Sequence, residues 1–249
     1  MGDYIIGGWS QNTSESVPAG FSYTMYGMIT NLEGLTSGTP ESPGWSPAEK
    51  RPPKGGGKVL WTYGGGGCTP GAMPGTPDQI GKIVAVTEES GWAGVDFDDE
   101  CHMDMENVIT AMQALKEKSL GTSYTFLAGW DYNNPSASAH GQAINEAVQA
   151  VAKAGAADRQ ILMCYAAAMW SMSDIEANVG PAITRTIDNG VPPGQVILAL
   201  TPAGLTSENL NYFLSQVTEK GIGGLFIWNY PALNADDLET IKGKLGISA

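Results

Sequence analysis

The sequence predicts an α/β fold: a TIM (β/α)8 barrel, formed by residues 1–249 as a single domain, with the first two helices short or missing. Two observations predict it. About eight short runs rich in β-branched and aromatic residues recur along the chain, and a segment of helical period follows each of the last six. Strands alternating with helices give a parallel sheet. The length, 249 residues, is that of one such barrel.

The elements follow in order. Tyr4–Trp9 is a short apolar strand ending in an aromatic residue, and Gln11–Pro18 after it is polar and too short for a crossover helix. Phe21–Thr30 is the second strand. Glu33–Gly57, rich in Gly, Pro, Ser and Thr, has no helical period and reads as a long ordered loop. Lys58–Tyr63 is the third strand and runs into Gly64–Gly67. Four glycines let a backbone turn and approach a ligand closely, and no Lys-Ser or Lys-Thr follows to make a phosphate loop. Thr76-Pro77-Asp78-Gln79 is a capping box with proline at the first helical position, and Gly91 stops that helix. The fourth strand lies within Gly91–Glu100. Met105, Val108, Ile109, Met112 and Leu115 mark the next helix, up to Gly121, and Ser123–Ala128 the fifth strand. Ile144, Ala147, Val148 and Val151 mark a helix ending at Gly155. Gln160–Ala166 is the sixth strand. Ser173 and Glu176 form a second capping box, opening a helix in which Pro181 predicts a kink. Gln195–Leu200 and Gly224–Trp228 are the last strands. Leu210, Phe213, Leu214 and Val217 lie on the helix between them, and Asn234 caps a final helix carrying Leu238, Ile241 and Leu245. There is no internal repeat, linker or second domain.

The fourth strand carries the chemistry. Side chains alternate along a strand, so Asp96, Asp98 and Glu100 project to one side. Three like charges inside an apolar strand are costly to bury. They serve catalysis, bind a cation, or form the solvated face of an exposed edge strand. Against a cation, adjacent strand ends offer no further carboxylates.

Composition limits the partners. A net charge of −13 disfavours nucleic acid and anionic membrane and suits an uncharged substrate. No apolar run reaches the length of a membrane span. Two histidines, His102 and His140, leave little material for a histidine-based triad or zinc site, and no metal or other cofactor is expected. Cys68, Cys101 and Cys164 are odd in number and fit no metal spacing, so reduced, partly buried thiols are expected. No signal peptide opens the chain. That leaves a cytoplasmic protein or a mature secreted one carrying a new Met1, and we take the secreted form. Asn12-Thr13-Ser14 is a glycosylation triplet of a kind common by chance.

The run Gly94-Val95-Asp96-Phe97-Asp98-Asp99-Glu100 resembles the signature strand of glycoside hydrolase family 18, D-x-x-D-x-D-x-E, with Ala93 at its first position. Thr62-Tyr63-Gly64-Gly65 is similar to the family's S-x-G-G. Met163-Cys164-Tyr165-Ala166 is similar to its M-x-Y-D, with Ala166 for the acid. Trp228 matches the tryptophan ending the eighth strand. The resemblance spans roughly Lys58 to Trp228. It implies a chitinase-like, retaining glycosidase cutting β-1,4 bonds beside N-acetylglucosamine in chitin or chitooligosaccharides by substrate-assisted catalysis, a known exception to the two-carboxylate scheme. Glu100 is then the general acid/base, Asp98 and Asp96 its supporting carboxylates, and Tyr165 the donor to the acetamido oxygen. Trp228, Met163, Trp9, Trp130, Trp170, Gly64 and Gly65 line the substrate site at the strand ends. The short link Thr201–Thr206 leaves no room for an inserted domain, which implies an open cleft and endo-type cleavage by a monomer. Two other readings stand beside it: an endo-β-N-acetylglucosaminidase acting on N-glycan cores, and a non-catalytic chitooligosaccharide-binding lectin on the same barrel.

Overall fold

The computed structural model describes residues 4–30, 44–55, 57–68, 74–165 and 170–247. Eight parallel strands run in sequence order: β1 (Ile5–Ser10), β2 (Phe21–Ile29), β3 (Lys58–Gly64), β4 (Gly94–Asp99), β5 (Gly121–Leu127), β6 (Arg159–Met163), β7 (Val196–Leu200) and β8 (Gly224–Ile227). Pairing of β1 with β8, Ile5 opposite Gly224 through Gly8 opposite Ile227, closes the barrel. Closure leaves no edge strand, which excludes the solvated acidic edge as an account of β4: Asp96 is fully buried and Asp98 is 3% exposed.

Helices follow β3 to β8: α1 (Pro77–Ser90), α2 (Met105–Glu117), α3 (Trp130–Asn133) with α4 (Ala139–Ala154), α5 (Met172–Asp188), α6 (Ser207–Lys220) and α7 (Ala235–Leu245). None follows β1, and none is found among the described residues between β2 and β3. Of the expected loop Glu33–Gly57, residues 33–43 and Gly56 lie outside the described residues. Aromatic side chains cover the outer face where the early helices are missing. Trp45 stacks on Trp92 with ring centroids 5.9 Å apart, and their indole N–H groups donate to the carbonyls of Gln11 and Pro47. Tyr26, bonded through its hydroxyl to that of Tyr230, continues this aromatic layer. A large ring buries apolar area while its polar tip finds a partner.

Capping explains where the helices begin. Thr76 accepts the N–H of Gln79, but the Gln79 side chain accepts from Gly75 instead of returning to Thr76. The second expected box is displaced by two residues: the α5 cap is Ser171 paired with Asp174, not Ser173 with Glu176. Both spacings carry a capping signature, and the earlier one is where the chain turns. α5 runs through Pro181 unbroken. α3, a single turn, was not anticipated. The sixth strand ends at Met163, short of the expected Ala166, which lies outside the described residues.

The strands sort their side chains into two cores. Outward residues such as Val95, Phe97, Leu198 and Leu225 pack under the helices. Inward residues, among them Trp9, Met25, Ile161, Met163 and Phe226, fill the lumen.

One expectation is corrected. Cys68 and Cys101 are not thiols but a disulfide, with Cα atoms 5.7 Å apart. They sit on the loops leaving β3 and β4, adjacent strands, although 33 positions separate them in sequence. Adjacency in the barrel brings them together, and cysteine spacing alone does not reveal it. Only Cys164 is a free, buried thiol among the described residues. Closing a loop of this length contributes about 3–4 kcal/mol by restricting the unfolded chain. Cys68→Ser with Cys101→Ser together should lower the melting temperature by roughly 10 °C in a thermal scan.

Candidate active site

β4 delivers the acids in a ladder rising from the lumen to the barrel top. At the lowest rung, Asp96 is held by four donors from three other strands. Trp9 Nε1 on β1 (2.9 Å) and Thr62 Oγ1 on β3 (3.1 Å) donate to Oδ2. Ser123 Oγ and Thr125 Oγ1 on β5, both at 2.7 Å, donate to Oδ1. Each is inward-facing on its own strand, and the pairing register sets Thr62 and Ser123 directly opposite Asp96. Burial pushes the Asp96 carboxyl above its ordinary value, and the four hydrogen bonds oppose that rise.

Asp98, two residues higher, lines a cavity of about 150 Å³ at the mouth of the barrel together with Met28, Glu100, Tyr165 and Trp228. Glu100 is exposed at the rim, one residue beyond β4 and directly before the disulfide at Cys101. Three residues from separate strand ends, Met28, Tyr165 and Trp228, thus converge on the two upper acids. Tyr165 is half-buried and donates to Met163 Sδ at 3.1 Å.

Tyr165 also borders a second cavity, of about 300 Å³, shared with Met163, Trp130, Trp170 and His140. Trp130 is 58% exposed, the one exposed large hydrophobic among the described residues. Trp9 differs: at 1% exposure its ring faces the lumen, and its contact with the site is the bond to Asp96. Gly64 and Gly65 have φ of +103° and +87°, and the Gly65 N–H donates to the Asp98 carbonyl at 2.8 Å. A Cβ on either would collide with Met103 and the Asp98 main chain, or with Met28. The close approach they permit is therefore to the acidic strand itself.

Sequence reasoning missed several members of this assembly. Asp99 points away from the lumen: Oδ1 accepts the backbone N–H groups of Met103 and Cys101, and Oδ2 accepts the Tyr124 hydroxyl, fixing the turn that carries Glu100. Its odd position in the alternation is the signal that sets it apart. Burial and the nearby Asp99 and Asp98 charges push the Tyr124 phenol well above its ordinary value, so it stays a donor. Ser123, Thr125 and Met28 were missed too; hydroxyls and thioethers on strands carry no motif of their own. Ala93 is half-buried at the start of β4, packed against the lumen residues. Among the described residues no group of three or more His, Cys, Asp or Glu side chains is arranged to hold a metal ion, and no helix is long and apolar enough to cross a membrane.

The cradle makes a testable claim. Ser123→Ala with Thr125→Ala removes both donors to Asp96 Oδ1, and each hydrogen bond to a charged group contributes about 1.5–3 kcal/mol. The loss raises the folded-state pKa of Asp96 further, so the destabilisation is largest where the carboxylate is ionised. Urea unfolding should show a loss of about 3–5 kcal/mol at pH 7, shrinking as pH falls toward the ordinary carboxylate range.

No protein-family model matches the sequence, and no curated protein does. Solved structures do match in fold. A putative chitinase A from Streptomyces coelicolor aligns with a TM-score of 0.66 at 16% identity, covering 98% of this chain and 99% of that one. A fungal endo-β-N-acetylglucosaminidase of glycosyl hydrolase family 18 aligns at 0.62 and 16% identity, covering 97% and 96%. The xylanase and α-amylase inhibitor protein XAIP-II from Scadoxus multiflorus aligns at 0.60 and 13% identity over the whole of both chains. At the level of fold, the chain is therefore similar over nearly its full length to solved glycoside hydrolase family 18 barrels.

Proposed function

We propose that the protein is a glycoside hydrolase of the family 18 type, cleaving β-1,4 bonds beside N-acetylglucosamine in chitin or chitooligosaccharides with retention. One observation carries the reading: a buried, four-fold hydrogen-bonded Asp96 beneath Asp98 and Glu100, the latter two sharing a cavity with Tyr165 and Trp228. A single acid on a strand is commonplace; a graded series from a desolvated floor to an open rim suits proton handling.

Glu100, at the rim, protonates the glycosidic oxygen of the leaving sugar. The substrate's own acetamido oxygen attacks the anomeric carbon and expels that oxygen, forming an oxazolinium ion. Asp98 accepts a hydrogen bond from the acetamido N–H and stabilises the positive charge that develops there. Tyr165 donates to the acetamido oxygen, exchanging its bond to Met163 for one to substrate. Trp228 offers a flat apolar face beneath the sugar ring. Glu100, now ionised, takes a proton from water, which opens the oxazolinium ion on the same face and restores the acid. Asp96 supports Asp98 from below, and the acids titrate as a coupled set. The open rim and the short Thr201–Thr206 link favour endo cleavage of a long chain.

A second reading, cleavage within N-glycan cores, is favoured by the fungal endo-β-N-acetylglucosaminidase sharing this fold at nearly full coverage. The inhibitor protein on the same barrel keeps a non-catalytic role as the third outcome.

Release of fluorophore from N,N′-diacetylchitobioside by wild type, reduced by about 10²–10⁴-fold in Glu100→Gln, is the expected result. The wild-type pH–rate profile should show an alkaline limb that the variant lacks. Binding of chitooligosaccharides without turnover would instead support the lectin reading. Activity confined to N-glycans would support the second.

A further inference from the structure

Below the acids lies a charge that the mechanism has not used. Arg159 opens β6 and is 5% exposed. Register places it opposite Ser123, which in turn lies opposite Asp96, and the tilt of the strands sets Arg159 lower in the barrel than the acid. Its guanidinium crosses the lumen floor to lie 3.7 Å over the ring of Tyr23 on β2. Its Nε and Nη2 make no hydrogen bond with any described protein atom. A buried guanidinium with unbonded nitrogens is costly unless an opposite charge lies nearby.

The surroundings identify that charge. β1, β3 and β5 present Asp96 only with neutral donors, and β7 and β8 present Ile197 and Phe226 to the lumen. The titratable groups around the floor are Asp98 on the same strand, Tyr23 and Arg159. Lys58, whose ammonium lies 6.0 Å from the Tyr23 ring, is at the exposed foot of β3 and screened by solvent. Asp158, beside Arg159, is turned outward to Lys116 and the Thr122 N–H. Burial lowers the Arg159 guanidinium below its ordinary value, and Tyr23, Asp158 and Asp96 oppose that fall; of the two carboxylates, Asp96 is the fully buried one.

We infer that Arg159 is a positioning residue: its buried positive charge keeps Asp96 as the ionised member of the Asp96–Asp98 pair, so that any proton the pair carries resides on Asp98. The hydrogen bonds of the cradle fix where Asp96 sits; Arg159 offsets the desolvation that would otherwise protonate it. The consequence for catalysis rests on the hydrolase reading above, whereas the ionisation of Asp96 is measurable without it.

The test is a ¹³C NMR titration of aspartate carboxyl carbons, with Asp96 assigned by its loss in Asp96→Asn. The wild-type Asp96 resonance should be that of a carboxylate at pH 6. Its midpoint should rise by about one pH unit in Arg159→Met and return toward wild type in Arg159→Lys. The acid limb of kcat/KM should move with it. An unchanged midpoint in folded Arg159→Met, or a lysine variant titrating like the methionine one, would overturn the inference. A protonated Asp96 in wild type at pH 6 would overturn it as well, even if no variant folds. Absence of glycosidase activity in wild type would sink the hydrolase reading and leave the titration to decide Arg159 by itself.

Discussion

The structure depends on how it accommodates one carboxyl group, that of Asp96, in the middle of a barrel. A carboxylate removed from water loses solvation worth several kcal/mol. Here donors from β1, β3 and β5 replace that solvation. The replacement is also a structural tie, because a hydrogen bond from another strand fixes register as well as charge. Trp9, Thr62, Ser123 and Thr125 must all point inward at compatible heights, and a one-residue slip of any strand would send its donor out under the helices. The same bonds that settle the acid in the lumen therefore help to define the barrel around it.

The upper part of the site is built with different means. Asp99 and Tyr124 fix the turn beyond β4 from the outside, and the disulfide ties that turn to the loop leaving β3. Gly64 and Gly65 let the β3 end fold down against the Asp98 main chain. Glu100 is exposed, yet its backbone is held on both sides. A proton donor needs contact with solvent and a fixed position, and an exposed side chain on a braced turn supplies both.

Much of this was legible in the sequence. The strand and helix periods read directly because each barrel strand is short, apolar and followed by a capped helix, and the alternation Asp96, Asp98, Glu100 follows from strand geometry alone. What was not legible depended on closure. Trp9 sits at a strand end, where a sugar platform is expected; its burial follows from the register between β1 and its neighbours. The cysteine pair spans two loops that meet only because β3 and β4 are adjacent. Ser123 and Thr125 look like ordinary β-formers until Asp96 is set opposite them. The α5 cap was displaced by two residues because Ser171 and Ser173 each stand three positions before an acid, and local pattern cannot choose between them.

The pairing of Cys68 with Cys101 has a consequence for where such a chain attains its mature form. Bonds of this kind persist in oxidising compartments and are reduced in the cytosol. Three cysteines offer three possible pairings during oxidation, and two of them would involve Cys164. In the folded chain that thiol lies buried in the core beneath the helices, and burial keeps it protonated and poorly nucleophilic. Once β6 is in place, the wrong partner is withdrawn from exchange. A bond formed after the barrel has closed therefore draws on Cys68 and Cys101 alone.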